Sequence, residues 1–428
     1  MQFENRTTDP IVVTGLGAVS PLGVGVKNNW RRLIAGQSGI GANTRFDVTD
    51  FGCKIAGLVP SKAESPNGFD PLDFMDRKDI RKTDLFIHYA IAATQEALQQ
   101  AGWKPDRDDQ KARTATIIGT GIGGLPVITK AVETLAEKGP RRLSPFVVPA
   151  FLPNLAAGHI SIRHGFAGPI GTPVTACAAS AQAIGDGMRL ILSGETDVAV
   201  CGGSDACVDP VGIGGFGAAR ALSTNFNETP EKASRPFDKQ HDGFVLSEGA
   251  ATVIIERLSH ARRRGAVPLA ILAGYGTSAD AYHITAGRPD GSGGAFAMNL
   301  ALKMAGVTPQ DIDYVNAHST STPVGDAAEI AALRSVFQDR GKDLPVTSTK
   351  SATGHLLGAA GAIEAVYSIM ALQNKIIPCG LNIDDPEPDA DIFDLVANTP
   401  MEKQLNTVLS NSLGFGGVNA CLVLKRFE

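Results

Sequence analysis

The sequence lacks the features that mark several classes of protein. No apolar run approaches the about 18 or more residues of a membrane span, and residues 1–6 contain no apolar signal region. The six cysteines form no CxxC pair and no metal-binding spacing, which favours a reduced, cytoplasmic protein without a resident metal. The formal net charge of −5 provides no overall basic surface. We therefore expect neither a membrane nor a nucleic acid among its partners.

The composition and the pattern of the chain indicate a globular α/β protein. With 428 residues, of which 43% are hydrophobic, the chain is large enough for two cores. Strand and helix patterns alternate in two similar halves, which predicts two mainly parallel sheets with covering helices. The predicted strands comprise residues 11–17, 197–203, 251–256, 269–275, 314–317, 408–410 and 420–425. Because no Pro/Ser-rich linker lies near residue 260, we expect one compact unit.

One cysteine stands at a predicted turn from a strand into a helix. Residues 174–177 are typical of the end of a buried strand, and small residues with a helical apolar stripe predict a helix over 178–192. Cys177 would face the free N–H groups of the first helical turn, where a thiolate is accessible below the usual pKa of about 8.5. Such a thiolate can take an acyl group from a thioester. The alternative is a small buried cysteine without chemistry.

Two histidines lie at comparable places in the second half. His318 follows the predicted strand 314–317, and His355 precedes a predicted helix at 358–372. Neither has the spacing of a zinc signature. A lone histidine at such a place is often structural. Two of them, together with Cys177, favour a shared site, because ligands of α/β sheets bind beyond the carboxyl ends of the strands.

Glycine-rich and basic segments have alternative interpretations. The glycines at 15–17 and 119–124 could suggest a dinucleotide site, but neither has the GxGxxG spacing followed by an acidic residue. They more simply let backbone pass close to the nucleophile and to a bound acyl chain. The basic cluster at 77–82 could be a solvated face. Arg141, Arg142 and Arg220 could join it in space, which the sequence alone leaves open.

Four motifs carry a resemblance over residues 11–424. They are VTAC at 174–177, NAHSTSTPVGD at 316–326, STKSATGHLLGAAG at 348–361 and NSLGFGGVNA at 411–420. In this order they resemble the elongating β-ketoacyl-[acyl-carrier-protein] synthases of the thiolase superfamily, and synthase II most closely. The resemblance implies a thiolase-like five-layered αβαβα sandwich of two pseudo-repeated halves, at residues 1–260 and 261–428. It also implies a homodimer that catalyses decarboxylative Claisen condensation of acyl and malonyl thioesters.

The same resemblance implies roles for individual residues. Cys177 would accept the acyl group, and its N–H would form an oxyanion hole with the N–H of Phe415. His318 and His355 would hydrogen-bond the malonyl thioester oxygen, and Lys350 would orient His355. The other implied positions are Ile122, Phe216 and the gate Phe415 for the acyl pocket, Thr285, Thr320 and Thr322 for the phosphopantetheine arm, and Lys78, Arg81, Arg142 and Arg220 for an acidic acyl carrier protein.

Some implications stay open at this point. Glu364 either holds Lys350 or helps to bind a structural monovalent cation with Asn316, Ser410 and Asn411. No other cofactor is expected, because phosphopantetheine arrives on the carrier protein. A stand-alone ketosynthase of a polyketide or very-long-chain lipid pathway would share every catalytic residue. A non-catalytic acyl-binding protein is a further alternative, against which the intact set of cysteine, histidines and lysine argues.

Overall fold

The computed structural model describes residues 9–428 apart from residues 339 and 391. The strands are β1 (Ile11–Ser20), β2 (Gly23–Val24), β3 (Gly41–Ala42), β4 (Ile55–Ala56), β5 (Thr114–Gly119), β6 (Ile170–Gly171), β7 (Val198–Asp205), β8 (Gly249–Arg257), β9 (Ala270–Ala279), β10 (Tyr314–Asn316), β11 (Val346–Thr347), β12 (Ile376–Ile377), β13 (Met401–Glu402), β14 (Thr407–Gly414) and β15 (Val418–Arg426). The helices are α1 (Val26–Ile34), α2 (Arg77–Ile80), α3 (Leu85–Ala101), α4 (Asp108–Ala112), α5 (Leu125–Lys138), α6 (Val147–Phe151), α7 (Leu155–His164), α8 (Ala179–Ser193), α9 (Pro210–Ala218), α10 (Leu258–Arg263), α11 (Ser292–Ala305), α12 (Pro323–Phe337), α13 (Lys350–Thr353) and α14 (Ala360–Asn374).

The strand order repeats between the two halves of the chain. The first half has the order β1-β8-β7-β5-β6, and the second has the order β9-β15-β14-β10-β11. In each half the first two pairings are antiparallel and the last two are parallel. The half-sheets meet where β1 pairs with β9 over only two residue pairs. The same topology therefore occurs twice.

The helices complete five layers around these half-sheets. Helix α3 packs on β1 and β8, and α7 packs on β5, so both cover the outer face of the first half-sheet. Helix α11 covers β9 and β15 on the opposite outside, beside α12. Helices α8 and α14 contact each other and strands of both half-sheets. Because α14 is apolar on nearly all sides, it is buried along most of its length between the sheets. The predicted αβαβα class is confirmed.

Two expectations about the strands are wrong. The half-sheets are not mainly parallel, because the β1–β8 and β8–β7 pairs are antiparallel, as are the β9–β15 and β15–β14 pairs. Residues 172–175 form no strand, and Val174 is 50% exposed. Strand β6 ends at Gly171, shortly before Pro173, which has no N–H to donate to a ladder. The boundary of the halves at residue 260 stays a prediction.

No helix among residues 9–338, 340–390 and 392–428 is long and apolar enough to cross a membrane.

Candidate active site

Cys177 lies in a tight turn that leads into the central helix α8. The turn is a 3-10 segment over Ala176–Ala178, and Ala176 has the left-handed φ of 47° that non-glycine residues rarely adopt. Burial raises the pKa of the Cys177 thiol to about 11, although the charge of Lys350 and the backbone N–H groups of Phe415 and Cys177 act in the opposite direction. The expectation of a lowered pKa is therefore wrong, because desolvation exceeds the effect of the helix terminus.

The glycine-rich loop at 414–417 packs directly against the nucleophile. A Cβ at Gly414 would lie 3.3 Å from the backbone nitrogen of Cys177, so a side chain there would crowd the turn. Gly416 has a φ of +84°, and its N–H donates to the carbonyl of Ile284 at 2.8 Å. The N–H groups of Phe415 and Cys177 both act on the sulfur. This arrangement fits the predicted oxyanion hole.

His355 directly contacts the nucleophile. Its Nε2 lies 2.9 Å from the Sγ of Cys177, and its backbone N–H donates to the carbonyl of Val245 at 2.8 Å. The ring meets Phe244 edge to face, with centroids 5.3 Å apart. Burial, followed by the charge of Lys350, lowers the pKa of His355 well below its usual value. The imidazole is therefore neutral at neutral pH, and it can accept the thiol proton.

A buried lysine determines the tautomer of the other histidine. The ammonium of Lys350 forms a buried ion pair with Glu364 and lies with its Nζ 3.3 Å from the Nδ1 of His318. An ammonium group has no acceptor, so Nδ1 of His318 accepts and its proton stays on Nε2. Burial also lowers the pKa of His318, which keeps this ring neutral. The structure thus places Lys350 against His318, whereas the resemblance implied an orienting contact with His355.

Glu329 is a part of the site that sequence reasoning missed. Its buried carboxylate accepts the backbone N–H groups of His318 at 2.9 Å and of Ser319 at 2.6 Å. It also accepts the Ser319 hydroxyl at 2.8 Å and the side-chain N–H of Asn411 at 3.0 Å. Glu329 therefore holds the loop that carries His318 against β14. The signal in the sequence was a pair of acidic residues, Asp326 and Glu329, on the otherwise apolar buried face of α12.

One cavity contains the reactive groups and most of the predicted binding residues. It has a volume of about 350 Å³, and Cys177, His318 and His355 line it. Its further walls include the predicted residues Ile122, Phe216, Thr285, Thr320, Thr322 and Phe415. Glu364 is not among the lining residues, because it is buried against Lys350. Of the two alternatives for Glu364, contact with Lys350 is the one seen.

The predicted docking residues fall into two places. Arg81 and Arg142 line one surface groove together with Lys82 and Lys130. Lys78 is exposed on the short helix α2 that precedes Arg81. Arg220 is exposed and lines the cavity of Cys177. The structure therefore brings Arg81 and Arg142 together, and it places the guanidinium group of Arg220 at the cavity itself.

Two groups of atoms have the chemistry to hold a cation. The ligand atoms of Cys177, His318 and His355 all lie within 4.8 Å of one another, but metal binding needs the thiolate of Cys177, which burial disfavours. Deeper in the protein, Glu364 Oε2 and Asn316 Oδ1 are buried without a hydrogen-bond partner among the described residues. The Asn316 side-chain N–H donates to the Glu364 carbonyl at 3.3 Å, so the two residues are neighbours. Two unsatisfied oxygens suit a hard cation.

Comparison with protein families gives the same assignment over most of the chain. Residues 8–261 match the N-terminal domain of β-ketoacyl synthases, and residues 269–384 match the C-terminal domain. The chain belongs to the β-ketoacyl synthase family. As a β-ketoacyl synthase it is an enzyme of the acyltransferase class, and the matched ranges include Cys177, His318 and His355.

Similar proteins extend over the full length of this β-ketoacyl synthase. It is 49% identical to the 3-oxoacyl-[acyl-carrier-protein] synthase 2 of Rhizobium meliloti, over 97% of this chain and 99% of that protein. It is 45% identical to the mitochondrial 3-oxoacyl-[acyl-carrier-protein] synthase of Arabidopsis thaliana, over 96% and 92%. A solved β-ketoacyl synthase from Burkholderia phymatum superposes with a TM-score of 0.90 at 31% identity, covering 98% and 100%.

Proposed function

We propose that this β-ketoacyl synthase is a 3-oxoacyl-[acyl-carrier-protein] synthase of the synthase 2 type. It condenses an acyl thioester with malonyl-[acyl-carrier-protein] and thereby lengthens a fatty acid. The observation that carries the proposal is a neutral His355 with its Nε2 2.9 Å from the Cys177 sulfur, beside a second imidazole whose Nε2 carries a proton. One group can accept a proton while the other donates a hydrogen bond. Both open into one apolar cavity.

The first half-reaction transfers the acyl group to the protein. The sulfur of Cys177 attacks the thioester carbonyl while the Nε2 of His355 takes the thiol proton. The N–H groups of Cys177 and Phe415 receive the negative charge that develops on the carbonyl oxygen. The carbon–sulfur bond to the pantetheine thiol then breaks, and that sulfur leaves with the proton from His355. Because His355 takes the thiol proton during the attack, the reaction needs no preformed thiolate, which burial disfavours.

The second half-reaction needs hydrogen-bond donors at the malonyl thioester oxygen. When the carboxyl carbon leaves as carbon dioxide, its bonding electrons form an enolate, and the Nε2–H of His318 stabilises the oxygen. The Nδ1 of His355 has no partner among the described residues, so nothing there holds one tautomer, and its Nε2 can also donate. The enolate carbon attacks the acyl carbonyl on Cys177. The carbon–sulfur bond to Cys177 then breaks, the sulfur leaves as a thiolate, and a proton taken up from solvent restores the thiol.

Fatty-acid elongation is favoured over the alternative pathways by the degree of similarity. A type II polyketide ketosynthase, solved in complex with its acyl-carrier protein, is 30% identical with a TM-score of 0.88. The Vibrio cholerae 3-oxoacyl-[acyl-carrier-protein] synthase 2 is 46% identical. A non-catalytic acyl-binding role leaves the paired Lys350, His318 and His355 unexplained. We also propose a cytoplasmic location, which the six free cysteines support and which cell fractionation would check.

The experiment that tests the function is acylation by carrier-bound thioesters of several chain lengths. We expect one acyl group per chain, mapped by mass spectrometry to Cys177. The other cysteines are buried, and burial raises the pKa values of Cys201 and Cys379. Among the described residues, neither sulfur has a hydrogen-bonded imidazole as Cys177 has in His355. An acyl group found on Cys201 or Cys379 would refute the assignment.

Variants separate the two half-reactions. Cys177→Ala should abolish condensation and still release carbon dioxide from malonyl-[acyl-carrier-protein], because both histidines remain. His318→Ala should still become acylated and should lose at least about a hundredfold in decarboxylation, as expected for a lost donor to a developing oxyanion. Complete loss of carbon dioxide release in Cys177→Ala would contradict this division of roles.

Carrier docking is proposed at the groove of Arg81 and Arg142, with Lys78 beside it and Arg220 at the cavity. Reversing two exposed charges, Arg81→Glu with Arg142→Glu, should raise KM for carrier-bound substrate about five- to tenfold and leave kcat nearly unchanged. The effect should weaken with salt. Arg31→Glu, on an exposed face of α1, is the control. An equal loss on a small thioester without carrier would mean that these arginines support the fold or the site, and docking would be rejected.

Homodimerisation is proposed at the sheet edge formed by β6. Among the described residues this edge strand pairs with β5 on one side alone, and apolar Ile162, Ile170 and Val174 are 80%, 54% and 50% exposed around it. Ile162→Asp with Val174→Asp should weaken the dimer at least tenfold in sedimentation equilibrium. Val267→Asp, at a residue 75% exposed elsewhere, should not. A parent chain that sediments as a monomer at micromolar concentration would disprove the proposal.

A structural monovalent cation is proposed beside Glu364 and Asn316, with Ser410 and Asn411 adjacent. Its role would be to neutralise the free oxygen of Glu364 and to hold β10 near α14; it would take no part in bond making. We expect the melting temperature to fall by several degrees when potassium and sodium are replaced by choline. Identical melting in all three salts would argue against a bound cation.

A further inference from the structure

Asp205 is a buried carboxylate that the mechanism above does not use. It ends strand β7, and no part of its side chain is exposed. Oδ1 accepts the Thr120 hydroxyl at 2.7 Å and the Ile122 N–H at 3.3 Å. Oδ2 accepts the Gly121 N–H at 2.7 Å and the Gly358 N–H at 2.6 Å. One side chain thus binds four N–H and O–H donors on two separate segments, and the Cys207 thiol donates to Oδ1 at 3.7 Å as well.

The two segments that Asp205 joins form adjoining parts of the cavity wall. Gly121 and Ile122 follow β5 of the first half, whereas Leu357 precedes α14 of the second half, and all three line the cavity. The segments are in close contact, since a Cβ at Gly358 would lie 2.2 Å from the nitrogen of Gly121. The carboxylate of Asp205 accepts N–H bonds from both segments and so ties them together.

The carboxylate is ionised. Its four contacts come from donors, and the Oγ1 of Thr120 already accepts the N–H of Gly123 at 3.0 Å, so the Thr120 proton points to Asp205. A carboxylate that receives several N–H bonds is stabilised in its charged form. Burial nevertheless raises the pKa of Asp205, and its charge raises the pKa of the Cys177 thiol. Oδ2 lies 2.7 Å from the nitrogen of Gly121, which lines the same cavity as Cys177, and Gly358 belongs to a turn that packs against the turn of Cys177. The residue therefore acts on the cavity through geometry and through charge.

We propose that Asp205 is a positioning residue that sets the shape of the acyl pocket through Ile122 and Leu357 and disfavours negative charge on the Cys177 sulfur before substrate arrives. The part that concerns the acyl pocket rests on the proposed function. The part that concerns the charge does not, because it depends only on the free thiol. The two parts have separate measurements.

The first measurement is the rate at which iodoacetamide alkylates Cys177, followed by mass spectrometry as a function of pH. Only the thiolate reacts, so the midpoint reports its formation. Asp205→Asn removes a negative charge and should lower the midpoint by about half to one pH unit, or about three- to tenfold in rate at pH 8. Lys350→Met removes a positive charge and should raise it. Asp205→Glu keeps the charge and should keep the parental midpoint.

The matched control is Asp209→Asn. Asp209 lies four residues further on, is 7% exposed and accepts the Val211 N–H at 2.9 Å and the Thr129 hydroxyl at 3.1 Å, without lining the cavity. Asp209→Asn loses the same charge, and the two hydrogen bonds of Asp209 lie outside the cavity wall. An unshifted midpoint in Asp205→Asn, or an equal shift in Asp209→Asn, would overturn the electrostatic part of the inference.

The second measurement is the ratio of kcat/KM for long and short acyl thioesters. Asp205→Asn presents an amide N–H₂ where an acceptor stood, so some of the N–H groups of Gly121, Ile122 and Gly358 lose their partner and the walls shift. We expect this ratio to change about threefold or more in Asp205→Asn. The longer side chain of Asp205→Glu displaces the same segments, so we expect a change of the same size there. Thr120→Val deletes one donor to Asp205 and the acceptor of the Gly123 N–H, but the three N–H bonds to Asp205 remain, so it should change the ratio less. It serves if the aspartate variants fail to fold.

The outcomes separate this inference from the proposed function. A parent protein that takes no acyl group on Cys177 would contradict the function while leaving the alkylation result valid. A parent protein that is acylated normally, with Asp205→Asn changing only the melting temperature, would reduce Asp205 to a structural residue and overturn the positioning role. An altered acyl ratio in both aspartate variants, with Asp209→Asn unchanged, supports it.

Discussion

The buried ion pair between Lys350 and Glu364 is the interaction on which the site depends. The ammonium determines the tautomer of His318, lowers the pKa of His355 and favours the thiolate of Cys177. Glu364 lies on the central helix α14, where an unpaired carboxylate would be costly. Removing one partner of such a pair typically costs about 3–5 kcal/mol, because the other charge stays buried. The pair therefore links the chemistry of the site to the middle layer of the fold.

The repeated topology explains why the reactive groups meet. Helix α8 lies between β6 and β7 in the chain, and helix α14 lies between β11 and β14, the equivalent strands of the second half. Each of the two helices is preceded by a 3-10 turn. Ala176 opens the first turn with a φ of 47°, and Leu357 opens the second with a φ of 49°. Cys177 and Gly358 therefore occupy equivalent positions. In the first turn this position carries the nucleophile Cys177. In the second turn the equivalent Gly358 has no side chain, so it packs against the cavity wall, and its N–H donates to Asp205.

Much of this architecture could be predicted from local patterns. Three features indicated by local patterns occur in the structure. They are the apolar strand β1, the glycine-rich loop around Phe415 and the two histidines at the ends of predicted elements. Local patterns failed where a long-range contact decides the outcome. Apolar character suggested a strand at Val174, but pairing ends at Gly171. Glu329 and Asp205 were missed because an isolated acidic residue shows its role only through the distant N–H groups that it accepts.

The balance between burial and the helix terminus decides how the nucleophile works. A rise of the thiol pKa from 9.0 to about 11 corresponds to about 3 kcal/mol against the thiolate. A charge at a helix N-terminus gains typically about 0.3–1 kcal/mol, and about 2 kcal/mol in favourable buried geometry. Burial therefore prevails, and Asp205 adds to it.

The resting sulfur is a thiol that resists unwanted oxidation and alkylation, since these need the thiolate. Nucleophilic character develops only when a carbonyl enters between the sulfur and the two N–H groups, with His355 at 2.9 Å ready to take the proton. The same desolvation that suppresses the free thiolate strengthens the hydrogen bonds to the oxyanion, so the buried position that makes the resting cysteine inert also favours its transition state.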